Sequence, residues 1–330
     1  MSLDGRVLSQ AKSTLDEKRK RHEEALQSRF EQVYAVAPNV SKIDKALTVT
    51  MSDLIGAALS PGSLLAIEDI RQKNTDLQDK RRMEIIVAGF PGDYLDEEYM
   101  CPHCKDTGFQ GTKICACLLA LYKEIQRASL SSLLGLVDNN TFDNFDLSYY
   151  DAAPTERHEI PPRRSMEIIY ETCVEYARKF GPGSMNLFFN GAPGLGKTFL
   201  SACIARVVAE NGNSVVYETA TSVFTKFEDA KFMRTEDINE ARNEVRRLTQ
   251  CDLLILDDLG TEMTTVFTVS ALYELVNTRL LTNRKTIISS NLAIYELRRR
   301  YSEQIMSRLE GEYHVLTFRG DDIRKKKNAL

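Results

Sequence analysis

The sequence has no uninterrupted apolar run of about 18 residues, which is the length that a membrane-spanning helix requires. We therefore expect no association with a membrane. Residues 1–24, MSLDGRVLSQAKSTLDEKRKRHEE, also lack the apolar core of a secretory signal peptide. Together these absences predict a cytoplasmic protein.

The sequence also has no excess of positive charge. Its 43 Lys and Arg residues are outnumbered by 47 Asp and Glu residues, so the formal net charge is −4. This balance excludes the global basic field by which some proteins attract nucleic acid. Any contact with nucleic acid must therefore use a local patch. The length of 330 residues is enough for about two domains.

Four of the seven cysteines lie together in CPHCKDTGFQGTKICAC, residues 101–117. Their spacing is C-x2-C, then ten residues, then C-x-C. In a cytoplasmic protein such a cluster favours metal over disulfides, and four thiolates suit tetrahedral Zn²⁺. His103, between the first two cysteines, would be a strained ligand. Reduced cysteines in a small core are the alternative. The predicted zinc ligands are Cys101, Cys104, Cys115 and Cys117.

A glycine-rich loop follows an apolar strand in MNLFFNGAPGLGKT, residues 185–198. It fits G-x-x-x-x-G-K-[ST], in which glycines let the backbone wrap around phosphates and the next helix directs its positive end at the anion. Lys197 supplies positive charge for the phosphates, and the Thr198 hydroxyl is a ligand for Mg²⁺. We therefore predict ATP binding. The predicted binding residues are Gly191, Ala192, Pro193, Gly194, Leu195, Gly196, Lys197 and Thr198.

Two further strands end in polar residues suited to nucleotide hydrolysis. The strand in CDLLILDDLG ends in Asp257 and Asp258. We predict that Asp257 holds Mg²⁺ through water and that Asp258 orients or deprotonates the attacking water. An ordinary strand end is the alternative. Asn291 follows the next strand, at the sheet edge where open α/β sheets bind ligands. Near the end of the sequence, Arg324 is a further candidate for contact with the nucleotide. A solvated tail over residues 324–327 is the alternative.

One segment, residues 224–234, combines basic and aromatic side chains and is our predicted contact with single-stranded DNA. The basic residues would meet phosphates, and the phenylalanines would stack on bases unless they belong to the core. The residues concerned are Lys226, Phe227, Lys231, Phe232 and Arg234.

Composition divides the chain into a helical N-terminal region (1–98), a zinc-binding module (99–120), a helix and linker (121–164) and an ATPase domain (165–330). The polar, proline-containing stretch that begins near Val137 marks the boundary between the two halves.

Several motifs together resemble the AAA+ ATPases of the DnaC/DnaI helicase-loader and IstB transposition-helper group. They are GAPGLGKT, LLILDDLGTE, IISSNL, IMSRLEGEY and FRGDDIR, and the resemblance is strongest over residues 139–330. The segments CPHCKDTGF…CAC and NTFDNFDLSYY resemble the loader branch of Gram-positive bacteria and their phages. The resemblance implies an α/β fold: a P-loop domain with a parallel five-stranded sheet, preceded by a helical, zinc-bearing domain.

The resemblance also implies roles for individual residues. Asn291 corresponds to sensor 1, Arg308 to the arginine finger and Arg324 to the sensor 2 residue. With Asp258, these are the predicted catalytic residues. Because an arginine finger acts on a neighbouring subunit, the resemblance implies self-association through the AAA+ domain.

The function implied is ATP-dependent loading of a hexameric replicative DNA helicase onto single-stranded DNA during replication initiation. Residues 1–120 would carry the helicase contact. Two alternatives remain. One is an IstB-like transposition-helper ATPase that binds duplex DNA and a transposase, and the other is an ATP-sensing adaptor with little hydrolysis. The zinc module and the helical N-terminal region favour the loader over the transposition helper.

Overall fold

The computed structural model describes residues 3–58, 64–133, 140–154, 159–232 and 238–327. The chain forms two compact units, and each is described by itself. The helical unit is Lys12–Leu118, and the sheet unit combines Met1–Ala11 with Leu119–Leu330. The four-part division predicted from composition stays a prediction, and the boundary near Val137 lies outside the described residues.

The helical unit consists of long helices and one short hairpin. Its small core contains Val33, Val40 and Ile85. A half-buried ion pair between Arg81 Nε and Asp44 Oδ1, 2.6 Å apart, joins its second and third helices. Across the described ranges, no helix has both the length and the apolar content needed to cross a bilayer. The elements are α1 (Gly5–Val36), which begins in the sheet unit, α2 (Pro38–Ala58), α3 (Leu64–Val87), β1 (Phe109–Gln110), β2 (Lys113–Ile114) and α4 (Ala116–Leu133), which ends in the sheet unit.

The sheet unit confirms the predicted parallel sheet of five strands, arranged in the order β4-β5-β6-β3-β7. The strands are β3 (Asn186–Asn190), β4 (Val215–Thr219), β5 (Leu253–Asp257), β6 (Lys285–Ser290) and β7 (Tyr313–Thr317). The helices are α5 (Pro162–Arg178), α6 (Lys197–Glu210), α7 (Ala220–Phe232), α8 (Ile238–Gln250), α9 (Val266–Leu281), α10 (Ile294–Arg300), α11 (Glu303–Glu312) and α12 (Ile323–Lys327).

Helices cover both faces of this sheet, so its central strands β5, β6 and β3 are buried along their whole length, as parallel strands usually are. On one face, Leu187 and Phe189 of β3 belong to a core cluster with Leu200 of α6. On the other, Phe188 belongs to a cluster with Leu272 of α9. Since all five strands are parallel, their carboxyl ends lie at the same edge. That edge carries the loop after β3 and the residues that follow β5 and β6.

A fully buried arginine ties three elements of the sheet unit together. Arg279 on α9 donates Nη1–H to the carbonyl oxygens of Leu248 (2.7 Å) and Cys251 (3.1 Å), at the end of α8. Its Nε donates to Thr286 Oγ1 on β6 at 2.9 Å. Hydrogen bonds from a charged donor compensate for burial of the guanidinium, and they satisfy carbonyl groups that a helix end leaves unpaired.

Candidate nucleotide-binding and metal sites

The loop between β3 and α6 has the shape that its glycines predict. Gly194 and Gly196 adopt left-handed φ values of 77° and 90°, which side chains disfavour. A Cβ on Gly194 would lie 1.8 Å from Asp322 Oδ1, and a Cβ on Gly196 would lie 3.0 Å from the Tyr150 hydroxyl. Neither position therefore accommodates a side chain. α6 starts at Lys197, directly after the loop, so its amino end faces the loop.

Lys197 is buried, with 4% of its surface exposed. Its Nζ donates hydrogen bonds to the carbonyl oxygens of Gly191 (2.6 Å) and Ala192 (2.8 Å) and to Asn291 Oδ1 (2.7 Å). Burial lowers the pKa of Lys197 to about 8, although the carboxylates of Asp258 and Asp257 raise it. The ammonium is therefore held at the mouth of the loop, in surroundings that favour a further negative charge.

Asp257, the last residue of β5, lies beside the first turn of α6. Thr198 Oγ1 donates a hydrogen bond to Asp257 Oδ2 at 3.1 Å. The structure therefore brings together the two residues that were predicted to hold Mg²⁺. Two residues that sequence reasoning missed also donate to this carboxylate. They are Tyr217 of β4, to Oδ2 at 2.7 Å, and Ser289 of β6, to Oδ1.

Asp258 has a left-handed φ of 57°, which is uncommon for a residue other than glycine. Its backbone N–H donates to Ser289 Oγ at 3.0 Å, and its Oδ1 accepts a hydrogen bond from Asn291 Nδ2 at 3.0 Å. Burial and the charge of Asp257 raise the pKa of Asp258. Asn291 thus links Lys197 to Asp258 through the two ends of one amide.

Comparisons with known proteins agree with this geometry. Residues 176–330 match the family model described as IstB-like ATP binding protein. The replicative helicase loader DnaC of Buchnera aphidicola subsp. Baizongia pistaciae is 29% identical over 153 residues, or 46% of this chain and 61% of that protein. The Escherichia coli K12 DnaC loader is 24% identical over the same shares. Residues 176–330 therefore form a domain that is similar to the DnaC/IstB-like AAA+ ATP-binding proteins.

The matched region spans about three fifths of the length of these curated relatives. Among solved structures, one described as the crystal structure of the DnaC helicase loader has a TM-score of 0.45 and 18% sequence identity. The structural alignment covers 55% of this chain and 98% of that structure's chain.

The AAA+ domain has the groups that ATP with Mg²⁺ requires. The glycine positions of the loop leave no room for side chains, and the buried Lys197 ammonium lies beside the loop. The Thr198 hydroxyl and the Asp257 carboxylate offer the oxygen ligands that Mg²⁺ prefers. The residues present therefore fit the nucleotide and the metal ion, at the edge of the sheet where the sequence predicts them.

The segment after β7 packs against the phosphate-binding loop of the AAA+ domain. The backbone N–H of Ile323 donates to the Gly194 carbonyl oxygen at 3.0 Å. Arg324 follows immediately, and its side chain is exposed. The positive charge of Arg324 adds to the effect of burial in lowering the pKa of Lys197, and it partly opposes the rise in the pKa of Asp258. A direct contact between Arg324 and the nucleotide stays a prediction.

Arg308 lies apart from this cluster. It lines a cavity of about 830 Å³ together with Asn186, Lys285 and Tyr313, which are the first residues of β3, β6 and β7. It is therefore at the amino edge of the sheet, whereas the phosphate-binding loop is at the carboxyl edge. Its guanidinium lies 4.7 Å from the centre of the Tyr273 ring. The structure does not bring Arg308 to the nucleotide site of its own chain.

The four clustered cysteines of the helical unit converge as predicted. Their Sγ atoms all lie within 4.8 Å of one another, with 3.8 Å between Cys101 and Cys115 and 3.4 Å between Cys104 and Cys117. Tetrahedral zinc with Zn–S bonds of about 2.3 Å places its sulfurs about 3.8 Å apart. Asp106 accepts the Cys101 backbone N–H at 2.7 Å and so holds the first turn of the cluster. His103 is exposed and outside the cluster.

We propose that these four thiolates hold one structural Zn²⁺. The purified protein should contain about one zinc per chain, and Cys115→Ser should lose the metal and lower the unfolding temperature, because metal binding stabilises small metal-bound modules. Metal analysis and thermal unfolding measure both effects. Cys173→Ser, which changes a buried cysteine outside the cluster, should keep the zinc. A fully folded protein without metal would contradict the assignment.

Proposed function

We propose that this protein hydrolyses ATP to load a hexameric replicative DNA helicase onto single-stranded DNA during replication initiation. The observation that carries the ATPase part is the cluster of Lys197, Thr198, Asp257, Asp258 and Asn291 at the carboxyl edge of the sheet. Support for the loading part comes from relatives named replicative helicase loader, which are 24–29% identical over about half of this chain.

Each residue of this cluster has a role that its contacts support. Lys197 balances phosphate charge, and Thr198 with Asp257 holds Mg²⁺, which neutralises charge on the phosphates when it is bound. Asp258 orients the attacking water or accepts its proton, and its raised pKa suits a general base. The Asn291 amide keeps the Asp258 carboxylate and the Lys197 ammonium in a fixed relation.

The first test separates binding from hydrolysis. Asp258→Asn should leave ATP affinity nearly intact, since Asp257 still holds the metal, but should slow turnover about 100-fold or more because the base is lost. Lys197→Ala should greatly weaken ATP binding. A fluorescent ATP analogue and a phosphate-release assay measure the two quantities. Glu228→Gln, an isosteric loss of charge at an exposed position of α7, is the control. Hydrolysis at the parental rate by Asp258→Asn would show that Asp258 is not the base.

If the parental protein binds ATP tightly but barely hydrolyses it, the chain is an ATP-sensing adaptor instead. The same phosphate-release assay therefore decides between the enzyme and that alternative.

Arg308 is proposed to act on the nucleotide of a neighbouring copy of the chain. Its place at the amino edge of the sheet removes it from its own nucleotide site. Two side chains of α9 also orient it: Arg308 Nη2 donates to Asn277 Oδ1 at 2.8 Å and to the Tyr273 hydroxyl at 3.1 Å. A guanidinium held in this way is suited to stabilising charge on a transferring phosphoryl group from outside. Self-association through the AAA+ domain follows from this proposal.

ATPase activity should therefore rise more than linearly with protein concentration. Arg308→Ala should be inactive alone, and mixing it with Lys197→Ala should restore part of the turnover, because one intact composite site then forms. Arg299→Ala, which removes an exposed arginine on α10, should keep parental activity. Linear concentration dependence without rescue would indicate a monomeric enzyme.

The contacts of α7 exclude some residues of the predicted DNA-binding segment from contact with DNA. Phe227 is buried in the core, and Lys226 pairs with the carboxylates of Glu218 and Glu244, so neither is free to contact DNA. Arg234 lies outside the described residues. The exposed end of α7 therefore remains as the candidate for contact with DNA.

At that end, Phe232 is 63% exposed and its ring centroid lies 5.3 Å from that of Phe267. Lys231 Nζ lies 5.3 Å from the Phe267 ring centre. We therefore propose that Lys231, Phe232 and Phe267 form the contact with single-stranded DNA.

Phe232→Ala should weaken binding to a fluorescent oligothymidine by about 5- to 150-fold, since stacking on one base contributes about 1–3 kcal/mol. Lys231→Gln should reduce the dependence of affinity on salt concentration, because one phosphate contact is lost. Fluorescence anisotropy at two salt concentrations measures both. Tyr295→Ala, which removes an aromatic residue that is 66% exposed on α10, is the control. Unchanged affinity in Phe232→Ala would exclude this patch.

The loading function is tested by capture from host lysate with the full-length protein, followed by mass spectrometry. We expect the replicative helicase to be retained through the N-terminal residues 1–120, because the AAA+ domain uses its surfaces for nucleotide and for neighbouring copies. Capture of a transposase without the helicase would favour the IstB-like transposition helper in its place.

A further inference from the structure

Three hydroxyl groups donate hydrogen bonds to the carboxylate of Asp257. Thr198 and Tyr217 donate to Oδ2, at 3.1 and 2.7 Å, and Ser289 donates to Oδ1. All but Thr198 are almost completely buried: Asp257 and Tyr217 are each 4% exposed, and Ser289 is 0% exposed. Both oxygens of the carboxylate are therefore fixed in direction by donors that water does not reach.

The sheet register explains why Tyr217 reaches this carboxylate. β4 and β5 are parallel neighbours in which Tyr217 is opposite Ile255 and Thr219 is opposite Asp257. Because side chains alternate between the two faces of a sheet, Tyr217 and Asp257 share a face. The phenol ring is long enough to extend along the strands to the next same-face position. Its ring is part of the core cluster that contains Leu200 of α6, so the hydroxyl has little freedom to turn away.

The two buried donors differ from Thr198 in one respect. Thr198 is itself a proposed ligand of Mg²⁺, so its hydroxyl is needed at the metal. Tyr217 and Ser289 come from the strands on either side of Asp257 and are not proposed ligands, so their hydroxyl groups remain available to the carboxylate. Ser289 also accepts the backbone N–H of Asp258 at 3.0 Å and therefore serves both acidic residues.

We propose that Tyr217 is a positioning residue for the metal-binding carboxylate of Asp257, a role that rests on the proposed ATPase function. Hydrogen bonds behind a metal ligand fix its orientation, and their removal commonly weakens metal affinity about 10- to 100-fold. Tyr217 presents Asp257 to Mg²⁺ without itself touching the metal or the nucleotide. Ser289 assists from the opposite strand.

The test is the single-atom change Tyr217→Phe. With ADP present, Mn²⁺ affinity measured by electron paramagnetic resonance should fall about 10- to 100-fold. Affinity for a fluorescent ATP analogue in EDTA should stay within about twofold of the parental value, because the phosphate-binding loop is intact. The Mg²⁺ concentration that gives half-maximal ATPase activity should rise in parallel with the Mn²⁺ dissociation constant.

Tyr176→Phe is the matched control. Tyr176 belongs to the same core cluster, and its buried hydroxyl has no hydrogen-bond partner within the described residues. Loss of that hydroxyl should leave Mn²⁺ affinity unchanged. Ser289→Ala provides a second route to the answer if Tyr217→Phe folds poorly, since it should weaken Mn²⁺ binding in the same direction.

Parental Mn²⁺ affinity in both Tyr217→Phe and Ser289→Ala would overturn the positioning role. An equal loss of Mn²⁺ affinity and metal-free nucleotide affinity would also overturn it, because the hydroxyl would then support the fold in general. Failure of the underlying ATPase proposal looks different: the parental protein would then bind neither the ATP analogue nor Mn²⁺ with ADP.

Discussion

A buried lysine ammonium is the charge on which the nucleotide site depends. Taking an ammonium out of water costs free energy that hydrogen bonds and opposite charges must offset. Two loop carbonyls and Asn291 accept hydrogen bonds from Lys197, and Asp257 and Asp258 lie near it, yet the pKa of Lys197 still falls to about 8. The compensation within the chain is therefore incomplete. A site with incompletely compensated positive charge binds an anion more favourably than a fully neutralised site would. Lys197 is therefore preorganised for binding phosphate.

The topology of the parallel sheet determines which residues lie close to the Lys197 ammonium. Among the described residues, the side chains that hydrogen-bond to the Lys197 ammonium or to the carboxylates of Asp257 and Asp258 lie in a strand, directly after one, or in the first turn of the helix after the loop. Arg308 precedes β7 instead of following it, and the same topology therefore places it at the opposite edge. This contrast supports the proposal that one edge of the sheet binds the chain's own nucleotide, whereas the other presents Arg308 to a second copy.

The sequence predicts the sheet and the residues in line with its strands. Lys197 is identified from the glycine-rich loop motif. Asp257 and Asn291 are identified because each ends or directly follows an apolar strand, and parallel strands bring such residues together. Tyr217 and Ser289 were missed, because their contacts depend on the register between strands and on the reach of a side chain. The sequence does offer one signal for Tyr217, which lies near the carboxyl end of its strand, as Asp257 does.

Nothing in the sequence indicates that Arg279 is buried and hydrogen-bonded. It looks like a solvated residue at the end of an apolar helix, whereas its acceptors belong to α8 and β6. Phe227 and Phe232 illustrate the same limit, since only three-dimensional packing separates the buried ring from the exposed one.

The strand that brings Tyr217 to Asp257 also organises a second set of charges. Because side chains alternate, Glu218 lies on the face opposite Tyr217, where it pairs with Lys226 of α7. Lys226 also contacts Glu244 of α8 at 3.2 Å, and Glu244 pairs with Arg247 at 3.3 Å.

The chain of charges ends at the first residues of the protein, where Arg247 Nε lies 2.5 Å from the buried carboxylate of Asp4. Removing one partner from a buried ion pair leaves the other charge uncompensated, which typically costs about 3–5 kcal/mol. The buried Asp4 carboxylate therefore depends on Arg247 for its charge compensation. The pairing of Asp4 with Arg247 therefore attaches the residues around Asp4 to α8 within the sheet unit.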